Sequence, residues 1–487
     1  MKPYTMYING RFVDAKSGKR MNVINPATEE IIATVPEGDT MDAELAAKAA
    51  RKAFDSGEWP SLTHQARGRL LFKLAELVRK NKPRLAKLES MNNGKPLIES
   101  EFDIDDVATC FEYYGGLATK IYGEVAPVPD NAISLILKEP IGVAAGIIPW
   151  NYPLLMAAWK LAPALCAGCT CILKPASVTP LTALELAKLI EEAGFPKGVV
   201  NIITGGGATV GMALASSRLV DKIAITGSVA TGREIMKTAA ETNLKKVTLE
   251  LGGKSANIFF ADSDFEAAID GALFGIFPNQ GEICSAGSRI LVEKSMLDKF
   301  VNAMVKKTKK IKLGDPLKRD TKMGPLVSLD QYKRVMKYIE IGKREGAKVC
   351  CGGQRPKNFK KGYFMEPTIF VKVNNKMRIA QEEIFGPVVT VIPFKDEEEA
   401  IRIANDSPYG LAGAVWTRDI FKAFRVVKKV RAGILWVNTM QPTFVEAPWG
   451  GYKQSGGGRE LSHYGLEEYM QVKQVHINLN EAPIGWY

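Results

Sequence analysis

Histidine is almost absent from this sequence. Only His64, His463 and His476 occur among 487 residues, and they stand far from most of the cysteines. That scarcity weighs against an imidazole-built metal site and against a cysteine–histidine hydrolase with partners close in sequence, although His463 and His476 remain free to fold beside a thiol. Long apolar runs are missing too. The longest weakly charged stretch, IGVAAGIIPWNYPLLMAAW, holds two prolines and an internal Asn-Tyr, whereas a spanning helix needs about 20 unbroken apolar residues. The N-terminal MKPYTMYINGRF has no apolar core and no small-residue cleavage site, so no signal peptide is expected. Repeats, low-complexity linkers and a GxGxxG fingerprint are also lacking.

What is present fits a globular chain. Apolar residues make up 46% and charged residues 24%, and the length suggests about two to four domains. The seven cysteines, Cys110, Cys166, Cys169, Cys171, Cys284, Cys350 and Cys351, are odd in number and sparse. Reduced thiols in a cytoplasmic protein fit that pattern, and a disulfide framework does not. Cys166, Cys169 and Cys171 have no second ligand pair, so they read as small residues entering a buried strand, with no metal expected. The net charge is +12, which raises a nucleic-acid reading. The lysines are dispersed, however, and the one dense cluster, KKTKKIK at 306–312, reads as a solvated helix face. No nucleic-acid or membrane partner is expected.

Between about 168 and 250, strands and helices alternate. CTCILKP reads as a buried strand, and TPLTALELAKLIEEAGFP as a helix capped by Thr179, with Pro180 first and Gly194 at its end. GVVNIITGGG, DKIAITGS and KKVTLELGG read as further strands, with ATVGMALASS and VATGREIMKTAAETN as helices between them. Such alternation implies a parallel, doubly wound sheet with ligands at the strand carboxyl ends. Those ends are glycine-rich: Gly205, Gly207 and Gly211, then Gly227 and Gly232. Two glycine loops within one alternating unit favour a dinucleotide site over ordinary turns. A second strand–helix series after Cys284 reads as another α/β domain and puts that cysteine near a junction.

Cys284 lies in NQGEICSAGSR (279–289), among small and polar residues. A thiol attacks only as thiolate and needs a base or a lowered pKa. Glu250 ends a strand after the apolar VTL, and a carboxylate there could serve as a base near neutrality. On pattern alone, Glu250 stays open between base and solvated turn residue, and Cys284 reads as a small buried thiol.

VTLELGGKSANIFFADSD (247–264) and NQGEICSAGSR strongly resemble the glutamate and cysteine signatures of the aldehyde dehydrogenase superfamily. IPWNYP (148–153), ITGSVATG (225–232), EEIFGP (382–387) and APWGGYKQSGGGRE (447–460) match further blocks in order, over essentially the whole chain. The match looks nearest to betaine aldehyde and aminoaldehyde dehydrogenases. The resemblance implies an α/β, aldehyde dehydrogenase-like fold in three parts. These are a Rossmann-like cofactor domain (1–120 and 142–252), an α/β catalytic domain (253–453) and a small β oligomerisation element (121–141 and 466–487).

The resemblance also assigns roles. Cys284 attacks the aldehyde, Asn151 and the Cys284 N–H hold the oxyanion, and Glu250 activates the hydrolytic water. Lys160 and Glu467 match a proton-relay pair. NAD or NADP is the implied cofactor. Trp150, Lys174, Gly207, Gly227, Ser228 and Thr231 line its adenine and phosphate end, Glu383 holds the nicotinamide ribose and Phe385 packs beside it. Ile148, Pro149, Asn151, Ser177, Thr226, Glu250 and Leu251 complete that groove. Ser177 departs from NAD-preferring members, which often carry a glutamate there that would repel a 2′-phosphate; tolerance of NADP is therefore expected. Tyr152, Trp159 and Trp449 match an aromatic box for a trimethylammonium group. A further box tryptophan is replaced by Pro278, with Phe277 adjacent. Asp103 and Asp106 would attract a cationic aldehyde at the tunnel mouth, or simply be solvated. A homodimer or homotetramer is implied. The rival readings are a CoA-acylating or broad-specificity aliphatic aldehyde dehydrogenase, and a structural or nucleic-acid-binding protein on the same scaffold.

Overall fold

The computed structural model describes residues 2–486. Alternating strands and helices build two large sheets, as the sequence pattern requires. The first has five central parallel strands in the order Lys246–Glu250, Lys222–Thr226, Val143–Ile147, Thr170–Lys174 and Val200–Ile202. Met6–Ile8 and Arg11–Val13 extend one side antiparallel, and Gly456–Gly457 the other. Strands 143–147 and 170–174 are buried throughout, which is why they read as unbroken apolar runs. Ile147 pairs with Lys174 and with Ile225, and Thr226 pairs with Glu250. The carboxyl ends of four strands therefore form one rim.

The second sheet runs Lys348–Cys351, Thr368–Val371, Val388–Phe394, Arg289–Glu293, Ala256–Phe259, Ala412–Trp416 and Ile434–Val437. Its neighbours are parallel except the first pair. Residues 251–255 connect the rim of the first sheet to the amino end of the second. The catalytic candidates sit along this short passage.

Helices differ from the sequence reading in their ends. Leu181–Ala193 is preceded by Pro180 at its N-cap, and Gly194 closes it in the left-handed region at φ 91°. Thr179 does not cap it, because its hydroxyl donates to the Trp150 carbonyl at 3.3 Å. The glycine loop after 200–202 forms a π-helical turn, Gly207–Gly211, before the short helix Met212–Ser216. The basic helix Leu297–Thr308 stops before Lys309, Lys310 and Lys312, which fall in the loop beyond it.

A third, small antiparallel sheet joins Met470–Asn478 to Ala132–Pro140 and Glu124–Ala126. It exposes Val125, Ile133, Leu137, Val472 and Ile477. Cys166, Cys169 and Cys171 are buried, and Cys169 Sγ donates to the Tyr469 carbonyl at 3.3 Å. Among the described residues, no helix is long and apolar enough to cross a membrane.

Candidate active site

The turn before Cys284 is tightly determined. Asn279, Gln280 and Gly281 all have positive φ, at 44°, 55° and 73°. A Cβ on Gly281 would lie 2.3 Å from the Gly386 carbonyl oxygen, so only glycine fits. The Asn279 N–H donates to Glu99 Oε2 at 2.7 Å, and its side-chain amide donates to the Asn151 carbonyl at 2.9 Å. Glu282 Oε1 accepts from the Val327 N–H at 3.0 Å. The loop thus holds Asn151 of the first sheet's rim against the segment that carries the thiol.

Cys284 is half-buried and lines a cavity. Burial pushes its thiol up to about 12, helped by the Glu383 and Glu250 carboxylates and opposed by the N–H groups of Ser285 and Cys284. The resting group is a thiol. The Asn151 side chain donates one N–H to the Glu282 carbonyl at 2.8 Å; an amide carries two such donors, so a second remains for an oxyanion.

Glu250 ends strand 246–250 and is 4% exposed. Burial pushes it up to about 8, against the Lys160 and Arg459 charges. Its Oε1 has no hydrogen-bond partner. Gly450, at φ 153°, passes so near that a Cβ would lie 3.0 Å from that oxygen. A buried acceptor of this kind is costly unless something transient uses it, and a water is the simplest user.

The relay pair needs correction. The Lys160 ammonium contacts Glu460 and Thr226, the latter at 2.9 Å. Glu467 is exposed and lies 3.5 Å from Lys138. Backbone bonds between Trp449 and Glu460, at 2.7 and 2.8 Å, turn Glu460 inward. Glu467 instead ends the surface helix Ser462–Glu467. Glu460 lies in the quoted APWGGYKQSGGGRE block, so the sequence did carry its signal.

Most of the expected cofactor residues share the same cavity, Pro149 and Trp150 included. Lys174 donates to the Pro175 and Gly205 carbonyls at 2.9 and 3.1 Å, and burial pushes it down to about 8. Ser177 donates to Gly205 at 3.1 Å. Ser228 caps helix Val229–Thr242, accepting from the Thr231 N–H at 3.2 Å. Gly207 has open space where a Cβ would stand. An open glycine, a helix N-terminus and a lysine suit an anionic dinucleotide. Glu383 Oε1 accepts from the Gly253 N–H at 3.0 Å, and a Cβ on Gly252 would lie 2.3 Å from Glu383 Oε2. Phe385, at φ 63°, stands edge-on to Trp150 with ring centres 5.0 Å apart.

The cavity is continuous, about 1490 Å³, and runs from Ser177 and Gly207 past Cys284 to Phe102, Phe274 and Phe444, which are exposed. Tyr152, Trp159, Phe277 and Trp449 line its far half. Trp159 and Trp449 meet edge-on at 5.6 Å, and Trp436 adds a third indole 6.3 Å from Trp449. Asp106 is exposed at the mouth. Asp103 is not a free surface anion there, because it is 6% exposed and paired with Lys95 at 2.5 Å. Sequence reasoning also missed Lys95, Asn279 and Glu282, which act through neighbours and lack a chemical signature of their own.

Residues 12–475 match the model described as "Aldehyde dehydrogenase family". The betaine aldehyde dehydrogenase of Bacillus subtilis is 52% identical over 487 residues, covering 99% of each chain. The peroxisomal aminoaldehyde dehydrogenase 2 of Pisum sativum is 48% identical over 489 residues, covering 99% of this chain and 97% of the other. A crystal structure of betaine aldehyde dehydrogenase from Staphylococcus aureus in complex with NAD+ superposes with a TM-score of 0.97 at 48% identity, covering 99% of this chain and 96% of that one.

Proposed function

The chain belongs to the aldehyde dehydrogenase family, and from that premise we propose that it oxidises a cationic aldehyde, betaine aldehyde or an aminoaldehyde, to its carboxylate. NAD or NADP is the cofactor. The observation that carries this reading is the pairing of Cys284 with the partnerless Glu250 oxygen in one cavity.

Ionised Glu250 takes the Cys284 proton as the sulfur bonds to the aldehyde carbon, giving a thiohemiacetal oxyanion. The free Asn151 N–H and the Cys284 N–H stabilise that oxygen; each such donor is typically worth about 3 to 4 kcal/mol. Lys174 and Glu383 would hold the cofactor, which when bound would supply the hydride acceptor. Loss of the carbon-bound hydrogen as hydride turns the thiohemiacetal into a thioester on Cys284. Glu250 then takes a proton from water as the water oxygen bonds to the thioester carbon, and the carbon–sulfur bond breaks. Lys160, whose charge acts on Glu250 and which contacts Glu460, can pass that proton on. Around the substrate, Tyr152, Trp159 and Trp449 offer electron-rich faces worth about 0.5 to 2 kcal/mol each for a cation.

The sheet arrangement supports a cofactor domain over 1–120 and 142–252 and a catalytic domain over 253–453. The exposed small sheet supports assembly through 121–141 and 466–487 into a homodimer or homotetramer. A cytoplasmic location accords with its unpaired thiols.

The test is NAD(P)H formation by the purified protein with betaine aldehyde, 4-aminobutyraldehyde and a simple aliphatic aldehyde, with each cofactor in parallel. Turnover of the cationic aldehydes with both cofactors is expected. A strong preference for aliphatic aldehydes would remove the cationic assignment. Acyl-CoA formation on adding CoA would replace hydrolysis by acyl transfer.

A further inference from the structure

Among the buried charges that the catalytic steps leave unused, Lys95 lies against the cavity wall formed by Tyr152. Lys95 is 0% exposed. It follows Gly94, which ends helix Lys82–Asn93 in the left-handed region at φ 100°. Its ammonium lies 4.0 Å from the centre of the Tyr152 ring and 2.5 Å from Asp103 Oδ2. Because Lys95 is fully enclosed, the ring face it covers is closed to substrate.

Asp103 pairs with this ammonium, whose charge also acts on three further buried or half-buried carboxylates, Glu89, Glu99 and Glu282. Burial pushes each one up, Glu99 to about 7, and Lys95 opposes the push at all four. Three of them hold active-site backbone or its support. Glu89 accepts from the Leu154 N–H at 3.3 Å, beside the Asn151 loop. Glu99 accepts from the Asn279 N–H at 2.7 Å, in the turn before Cys284. Glu282 stands two residues from Cys284 and accepts from Val327. The same turn reaches across directly, since Asn93 donates to the Trp150 carbonyl at 2.9 Å and accepts from the Lys95 N–H at 3.0 Å.

We propose that Lys95 is a positioning residue, the shared counter-charge that holds the Asn151–Tyr152 loop and the 279–284 loop in one geometry. It touches neither reactant and acts through Tyr152 and the carboxylates. An ionised carboxylate accepts a backbone N–H more strongly than a neutral acid does, so one ammonium governs how firmly both loops are held.

Lys95→Met alone strands a buried carboxylate and risks unfolding. The double variant Lys95→Met/Asp103→Asn removes both charges together and is the test protein. Hydrogen–deuterium exchange should accelerate at least tenfold in peptides covering 150–156 and 277–284. Peptides of the distant small sheet, 132–140 and 470–478, should keep their wild-type rates. Turnover should fall at least tenfold in kcat with KM for the cofactor unchanged. Wild-type exchange in both loops, acceleration spread to the small sheet, or an unchanged kcat would overturn the proposal. The kinetic half rests on the aldehyde oxidation proposed above. If the wild-type protein oxidises no aldehyde, that reading fails and the exchange data still decide the role of Lys95.

Discussion

Glu250 sets the pH behaviour expected at the scale of single residues. Its folded pKa is about 8 against an ordinary 4.5. Below about 8 it is an acid and cannot take a proton from water, so thioester hydrolysis should rise with pH and level off above about 8. Glu250→Gln should lose that slope and slow hydrolysis by about 10²- to 10⁴-fold, leaving a burst of reduced cofactor in rapid-mixing traces. Linkage gives the matching stability effect: the folded form holds a proton that the unfolded form releases, so the contribution of Glu250 to stability is fully present below pH 4.5 and is lost as the pH rises to about 8. Thermal melts of the Gln variant should therefore gain on the wild type across that window. Ser177 sets a second expectation. Ser177→Glu places a carboxylate beside Lys174 and should lower kcat/KM for NADP at least tenfold while sparing NAD, read from initial rates with each cofactor. That Cys284, Glu250 and Asn151 meet in one cavity was legible in the sequence because their blocks are specific. Glu460 was displaced by Glu467 because two nearby glutamates differ only in which way the chain turns them, and the Trp449–Glu460 backbone pairing decides that.

At the scale of elements, the left-handed turn 279–281 does what no flexible loop could. It directs three successive residues through a conformation that disfavours side chains, and it does so against the Gly386 carbonyl. Gly281→Ala should lower soluble yield and remove nearly all activity, measured as NAD(P)H formation per folded protein by circular dichroism. Rescue of full activity in the alanine variant would show that the turn can shift without moving the thiol. The strands and the helix over 181–193 could be read from periodicity, since buried parallel strands and amphipathic helices announce themselves. The turn could not, because its Asn and Gln adopt positive φ under tertiary contacts from Glu99 and Asn151. Thr179 misled for the same reason: its side chain is turned toward a distant carbonyl, that of Trp150, and accepts nothing from the local helix N-terminus.

For the whole molecule, the small sheet is the least self-sufficient part. Two strands and a tail expose a row of apolar side chains, a surface that a second copy would cover. Removing residues 466–487 should convert the proposed oligomer to a smaller species in light scattering and lower activity, because Met470 and Tyr469 also pack in the core beneath the first sheet. The two large sheets were legible as alternating series on either side of Cys284, yet nothing in the pattern said that 456–457 would return to the first sheet. That pairing is set by contact with strand 246–250, a long-range choice with no local signature. The continuous cavity that holds Cys284 has a kinetic corollary. Its two ends are lined by different residues, with glycines and Ser177 at one and phenylalanines at the other, so two reactants can reach the same sulfur by separate entrances. Under the proposed function, a bulky organic cation should compete with the aldehyde alone and leave dinucleotide binding untouched. A nucleotide fragment should do the reverse, and steady-state inhibition patterns check both.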